Sequence, residues 1–373
     1  MTLSLRRWEF SRLPGWAEDS PAAAFEAFCR SARRALDVAP CKTGSLGLSH
    51  RDFDPVFKAA LALKDEGGLD DAKIRSFFED RFFPLELCTD DIPGLVTGYY
   101  EPEIEVRDEP DAIYRHPFLR KPQDLVKVPD PSNPPPEIPE GHAFMIERED
   151  GVETCPDREA IETGAFNEMG LEIAWAASKV DVFFAHVQGC ARLHGGSRPV
   201  RRITYDGKSG HPFTGIGRLL VDAGEIPADE ISMASIRAWL ARHPGRADEL
   251  MWRNRSFIFF READVDDARL GPVAAAKVPL EPGRSMAVDR HVHTFGTPFF
   301  VSAPDLEDFD RPKPFARLMI AQDTGTAIVG PVRGDLFAGS GPSAGDTAGA
   351  INNRADFFIL APKTSDLAGR TAS

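Results

Sequence analysis

At 373 residues the chain exceeds what one hydrophobic core ordinarily serves, so two domains are expected. Its 42% hydrophobic content is enough to bury a core, yet no stretch approaches the ~20 consecutive apolar residues of a membrane-spanning helix. A net charge of −14 argues against nucleic acid as partner, because phosphate binding needs clustered Lys and Arg, and leaves neutral sugars open.

The opening stretch, MTLSLRRWEFSRLPGW, has no apolar run of signal-peptide length and no lipid-attachment cysteine; taken literally it implies a cytoplasmic chain. The five cysteines, Cys29, Cys41, Cys88, Cys155 and Cys190, are too sparse for a disulfide scaffold and lack zinc-site spacing, though a bridge among the first three fits the count. Residues 20–37 read as a helix with Ser20 as N-cap and Pro21 in the first position; Phe25, Phe28, Ala32 and Leu36 form its stripe. Asp54 and Pro55 repeat that start signal, with Val56, Phe57, Ala60 and Leu61 supplying a second face, and Ile74, Phe77 and Phe78 mark a third helix. These helices are expected to be a packing layer without chemistry.

At Leu95 the pattern changes to short strands. V-T-G-Y-Y-E-P-E-I-E-V alternates after Pro102, as a half-exposed strand does. Neighbours on a strand point to opposite faces, so Tyr99 and Tyr100 are expected to divide into one buried and one exposed ring. An exposed tyrosine beside a cleft makes a sugar platform; both rings buried in a core is the alternative. Residues 129–139, DPSNPPPEIPE, form a proline-rich loop. From Phe183 to Leu193 an apolar strand is expected to deliver Gln188 and Gly189. The Gln188 amide suits an N-acetyl group or sugar hydroxyls, or else a buried structural role.

Gly215 to Arg242 contains two helices, one faced by Ile216, Leu219 and Leu220, the other by Ile236 and Trp239 with Asp229 as cap; Ser256 to Glu262 reads as an apolar strand. His291 and His293, if on a strand, present both rings on one face as two metal ligands would, but no third ligand is evident, and no metal and no cofactor are expected. Asp289 is assigned with Arg290 to a wall beside a cleft.

Between the apolar runs Leu318–Ala321 and Phe357–Leu360 the sequence is glycine-rich and carries Asp323 and Asp335. Leu336 and Phe337 follow Asp335, so its carboxyl is expected against apolar surface, which raises its pKa and suits it to donate a proton near neutral pH. Asp323-Thr324-Gly325 also has the form of an aspartic-protease triplet, but no second one occurs, so that reading requires a symmetric dimer. The run from Gly339 through Ser340 and Gly341 lacks the lysine of a phosphate loop, and no helix is expected to begin there. Arg333-Gly334-Asp335 is read as a chance match to an adhesion tripeptide.

Five stretches together resemble the membrane-bound lytic murein transglycosylase A (MltA) family with its C-terminal 3D motif of spaced aspartates. They are VTGYYEPEIEV, HVQGCARL, the segment from Gly215 through NRSFIFFRE, KVPLEPGRSMAVDR, and QDTGTAIVGPVRGDLFAGSGPSAGDTAG, in this order. The resemblance implies a mainly β, two-domain fold. In it, residues 1–106 and 263–373 form a six-stranded double-psi β-barrel with N-terminal helices, and residues 107–262 an inserted β domain forming the other wall of a glycan groove.

The resemblance further implies cleavage of the β-1,4 bond between N-acetylmuramic acid and N-acetylglucosamine, with a 1,6-anhydro ring closed on the muramoyl residue. The family's acid, which also serves as base, maps onto Asp335 and its companion aspartate onto Asp323. Thr97, Tyr99, Tyr100, Gln188, Gly189, Asp289, Gly339, Ser340 and Gly341 become substrate-binding candidates. The expected partner is the peptidoglycan glycan strand, handled by a monomer or within a cell-wall enzyme complex. The expected location is periplasmic or outer-membrane associated, with the leader absent from this chain. Two other readings stay open: an inverting glycosidase using Asp323 and Asp335, and a polysaccharide-binding barrel that cleaves nothing.

Overall fold

The structure, a computed structural model, describes residues 3–90, 92–197, 200–307, 309 and 312–369. The chain divides into two compact units, Met1–Tyr100 with Val265–Ser373, and Glu101–Asp264. The crossings fall at 100/101 and 264/265, against the 106/107 and 262/263 divisions expected. The first has a local cause. Glu101 is fully buried and its carboxylate meets Arg192 and Arg202, both of the second unit, at 3.3 Å each. Arg202 also binds the other end of that unit, its carbonyl accepting from the Ala263 N–H at 2.9 Å.

Among the described residues the first unit carries nine hydrogen-bonded strands, beyond the six expected for the barrel alone. Their order is Leu3–Arg7, Phe82–Thr89, Asp356–Pro362, Pro298–Glu307, Pro314–Asp323, Ser285–Val288, Arg333–Ser340, Leu95–Glu101 and Asn352–Arg354. The extra width comes partly from the N-terminal segment, where Leu3–Arg7 and Phe82–Thr89 extend one edge. Ser285–Val288 runs parallel to Pro314–Asp323 and antiparallel to Arg333–Ser340.

One sheet face packs on three helices. Ala22–Asp37 buries Phe25, Phe28, Ala32 and Ala35, spaced to fall on one stripe. It starts after Pro21, and Ser20 does not cap it. The second helix begins earlier than expected, at His50 rather than near Asp54. Ser49 is its cap, donating its N–H to Asp52 Oδ2 at 2.7 Å, and Pro55 lies inside the helix. Asp71–Arg81 completes the layer. Phe25, Phe28, Phe57, Phe77, Phe78 and Phe82 interlock edge-on and tilted, with ring centroids 5.2–6.3 Å apart. A buried bidentate pair ties the N-terminal segment to the sheet: Arg284 meets both Asp19 oxygens at 2.8 and 2.9 Å, and Asp19 Oδ2 also accepts from the Leu318 N–H.

The second unit mixes sheet and helix, the two helices expected between Gly215 and Arg242 being Ile216–Asp222 and Met233–Arg242. Six strands run in the order Ile258–Glu262, Val200–Lys208, Cys190–His194, Glu103–Arg107, Glu172–Ala176 and His116–Leu119, beside a three-stranded sheet of Leu125–Lys127, Phe144–Arg148 and Gly151–Glu153. Lys179–Gln188 is a helix, where a strand was expected. Ser178 caps it by accepting from the Asp181 N–H, and Gly189 ends it in a left-handed conformation at φ 74°. Met233–Arg242 is capped by Ser232 and not by Asp229, and a further helix, Pro244–Trp252, follows. All five cysteines are free thiols, so the bridge considered among the first three does not form.

Candidate active site

Three adjacent strands bring the two aspartates into register. Ala287 pairs with Asp323 across the parallel ladder and with Asp335 across the antiparallel one, so the two carboxylates rise from positions two strand spacings, ~10 Å, apart at the backbone. A bulge sets this register. Met286 opposes Ala321 and the next residue opposes Asp323, leaving Gln322 as the extra position. The fully buried Gln322 amide donates to Ala27 O and Ser31 Oγ at 2.8 Å each and accepts from Ser285 Oγ at 2.5 Å.

Alternation along the strands does the rest. Leu336, Met286, Val288 and Val96 enter the main core, whereas Tyr99, Ala287 and Phe337 form a separate small cluster with Ala274, Leu280 and Ile328. Tyr99 and Phe337 pack with centroids 5.3 Å apart. This apolar floor lies beneath the carboxylates. Of the two neighbours expected to press on Asp335, only Phe337 shares its face.

The carboxyls have different partners. Asp335 Oδ1 accepts from the Thr97 hydroxyl at 2.5 Å. Thr97 Oγ1 in turn accepts from Arg333 Nη2 at 2.7 Å, and Arg333 Nη1 donates to the Gly334 carbonyl at 2.5 Å. Burial pushes the Asp335 carboxyl up to about 6, against the Thr97 bond and the Arg333 charge, with the Asp323 charge adding to the rise. Asp323 is held by three donors: the backbone N–H groups of Thr324 and Ala275 to Oδ1 at 2.9 and 3.1 Å, and the Tyr99 hydroxyl to Oδ2 at 3.1 Å. Burial raises it as well, opposed by those bonds and by Lys277. Arg333 is lowered by burial and supported by Asp335, and a guanidinium stays charged throughout the working pH range.

Of the expected site residues, Thr97 and Tyr99 stand with Asp335 and Asp323. Tyr100 does not provide the exposed platform: both tyrosines are buried, at 7% and 8% exposure, and the Tyr100 ring packs so close to Gly345 that a Cβ there would lie 2.9 Å from it. Asp289 holds a turn, accepting from the N–H groups of His291 at 2.9 Å and Gly330 at 2.8 Å. His291 and His293 lie in that turn and not on a strand, and His293 Nε2 donates to the Pro331 carbonyl at 2.8 Å. Burial drops His293 to about 4.

Gly339 and Ser340 close the Asp335 strand, and Gly341, at φ 86°, precedes a helix, Pro342–Ala350, that was not expected. That helix lies against Gly98, where a Cβ would meet the Ala348 backbone at 2.7 Å. Gln188 and Gly189 belong to the second unit, at the end of its Lys179 helix. Arg333 is the functional neighbour that reading the sequence missed. Its signal was present: it stands two residues before Asp335 on a strand, hence on the same face.

A neutral carboxylic acid titrating near 6, with one oxygen engaged by a hydroxyl and its guanidinium-backed partner, can donate a proton and take one back. The chain matches the MltA specific insert domain over residues 95–261 and the 3D domain over residues 284–361. It is 31% identical over 260 residues to the membrane-bound lytic murein transglycosylase A of Vibrio cholerae serotype O1, a match spanning 68% of this chain and 62% of that relative's length. A crystal structure of a membrane-bound lytic murein transglycosylase from Agrobacterium tumefaciens superposes with a TM-score of 0.90 at 46% identity, covering 99% of this chain and 100% of that one. The Escherichia coli MltA crystal structure with bound chitohexaose superposes with a TM-score of 0.67 at 26% identity, covering 92% and 91%.

Proposed function

The chain belongs to the membrane-bound lytic murein transglycosylase A family, and from that membership we propose that it cleaves the β-1,4 bond between N-acetylmuramic acid and N-acetylglucosamine in peptidoglycan. The observation that carries the proposal is Asp335, a carboxyl pushed up to about 6 on the same strand face as an apolar floor. Neutral Asp335 gives its proton to the glycosidic oxygen, the C1–O bond breaks, and the N-acetylglucosamine part leaves as an alcohol. The electron-poor C1 is then attacked by the C6 oxygen of the same muramoyl residue. Asp335, now a carboxylate, takes the C6 hydroxyl proton and is neutral again. No water is consumed, and the product ends in a 1,6-anhydro ring.

Asp323 has a different part in this scheme. Its three donors hold it in place, where it supplies negative character near the developing positive charge. An inverting hydrolase built from the same pair needs Asp323 to activate a water, and donors to both of its oxygens disfavour that role. Binding of a glycan strand is supported by the chitohexaose held by the Escherichia coli relative. With relatives named as membrane-bound, we assign the chain to the periplasm or the outer-membrane surface.

Mass spectrometry of products from purified murein tests the reaction. Anhydromuramoyl ends, lighter than reducing ends by one water, are the expected outcome; reducing ends would convert the reading to a hydrolase, and binding without products to a glycan-binding protein. Asp335→Ala is expected to abolish product release while glycan binding persists.

A further inference from the structure

At Arg333, two residues along the strand from Asp335, the first unit carries a cavity of about 290 Å³ whose wall is mostly apolar. Ile92, Pro93, Val329 and Pro331 line it, and two guanidinium groups, Arg333 and Arg354, stand at it. Ile92 and Val329 are 54% and 70% exposed, unusual for large aliphatic side chains. Among the described residues none of those lining it is acidic, in a chain of net charge −14. Arg354 pairs through its backbone with Leu95, is exposed, and makes no side-chain hydrogen bond or ion pair among the described residues. Arg333 belongs both to this cavity and to the chain of bonds reaching Asp335. Two residues along a strand separate them, ~7 Å.

Resting on the reaction proposed above, we infer that this cavity receives the peptide-bearing lactyl substituent of the muramoyl residue whose bond is cut. The chemistry matches part by part. That substituent begins with two methyl groups, one lactyl and one alanyl, which suit the Ile92, Pro93, Val329 and Pro331 wall. It continues with a glutamyl carboxylate, which suits an unpaired guanidinium. The muramoyl ring presents its C1 bond to Asp335 and carries the lactyl group on the same ring, so acid and cavity must be near neighbours, as they are. A stem-free muramic acid offers the same chemistry in shorter form, a methyl and a lactyl carboxylate.

Calorimetric titration of the full chain with N-acetylmuramoyl-L-alanyl-D-glutamate and with N-acetylmuramic acid separates the two. A charge-assisted bond to Arg354 should make the muramoyl dipeptide bind about tenfold more tightly than muramic acid, and Arg354→Gln should remove most of that difference. Val329→Asp, which sets an acid in the wall, should act in the same direction. Equal affinities for both probes that respond equally to Arg354→Gln would restrict the site to the lactyl carboxylate and overturn the peptide assignment. Binding indifferent to both substitutions would overturn the site altogether. On murein, Arg354→Gln should lower turnover of peptide-bearing strands relative to amidase-stripped strands. Probe binding that follows the expected pattern in a protein releasing no anhydro product would instead defeat the transglycosylase reading alone.

Discussion

The Thr97 hydroxyl donates to Oδ1 of Asp335 at 2.5 Å, across two neighbouring strands, while its own oxygen accepts from Arg333. A threonine has one hydroxyl hydrogen, and this arrangement commits it. Neutral Asp335 therefore carries its proton on Oδ2.

Because Asp335 must be neutral to begin the cycle and titrates near 6, product release should be greatest below that pH and fall above it. The decline should be about tenfold per pH unit in kcat/KM, which reports the free protein. Initial rates of anhydromuropeptide release between pH 4.5 and about 8 would measure it. A rate that rises through this interval would contradict an acid of this kind.

Arg333→Met should move the same limb upward in pH, since removing a positive charge beside Asp335 withdraws one of the two influences that hold its pKa down. Maximal kcat should fall at the same time, as Thr97 loses the donor that orients it. A lower rate with an unmoved pH profile would assign Arg333 a structural role only.

Stability offers a check that needs no substrate. Asp335 titrates at about 6 in the folded state against 3.8 ordinarily, so between these values the native protein holds more protons than the unfolded chain. Stability should therefore fall as pH rises from about 4 to 6 and remain reduced above. Asp335→Asn escapes that penalty. Denaturant titrations should find it gaining on the order of 2 kcal/mol relative to the parent at pH 7 compared with pH 3, after allowance for partial exposure. The same difference at both pH values would disprove the linkage.

The Asp19–Arg284 pair is buried on both sides and should behave as buried pairs do when halved. Arg284→Met leaves Asp19 without its bidentate partner and should cost about 3–5 kcal/mol in urea unfolding. The double replacement Asp19→Leu with Arg284→Met should recover much of that loss. An unchanged midpoint for the single variant would contradict the burial.

Asp323, Asp335, Thr97 and Tyr99 entered as site candidates through the family resemblance of their two segments, and the structure brings the four together. Other features were hidden for separate physical reasons. Arg333 was masked by its place in a tripeptide read as a chance match, although strand alternation put it beside Asp335. The segment before Gly189 is rich in Val and Phe, which suggests a strand, but Ser178 and Gly189 were proper helix boundaries and prevailed. Pro55 looked like a helix start and is an interior residue, about 1.7 turns beyond Ser49, where it withholds the N–H that the Arg51 carbonyl would otherwise accept. For Tyr100 the alternative of both tyrosines in a core is the one observed, because a helix unforeseen after Gly341 covers it.

Arg202, gripping Glu101 with its side chain and Ala263 with its carbonyl, has a consequence for how the molecule assembles. Pairing Leu95–Glu101 beside Arg333–Ser340 closes residues 102–332 into a loop, most of it the second unit, and were all of that loop disordered the closure entropy would be about 5 kcal/mol. Once the intervening segment has folded, with its two ends clasped at one arginine, it acts as a short staple. A folded insert thus lowers the entropy lost when the strand carrying Thr97 is joined to the strand carrying Asp335.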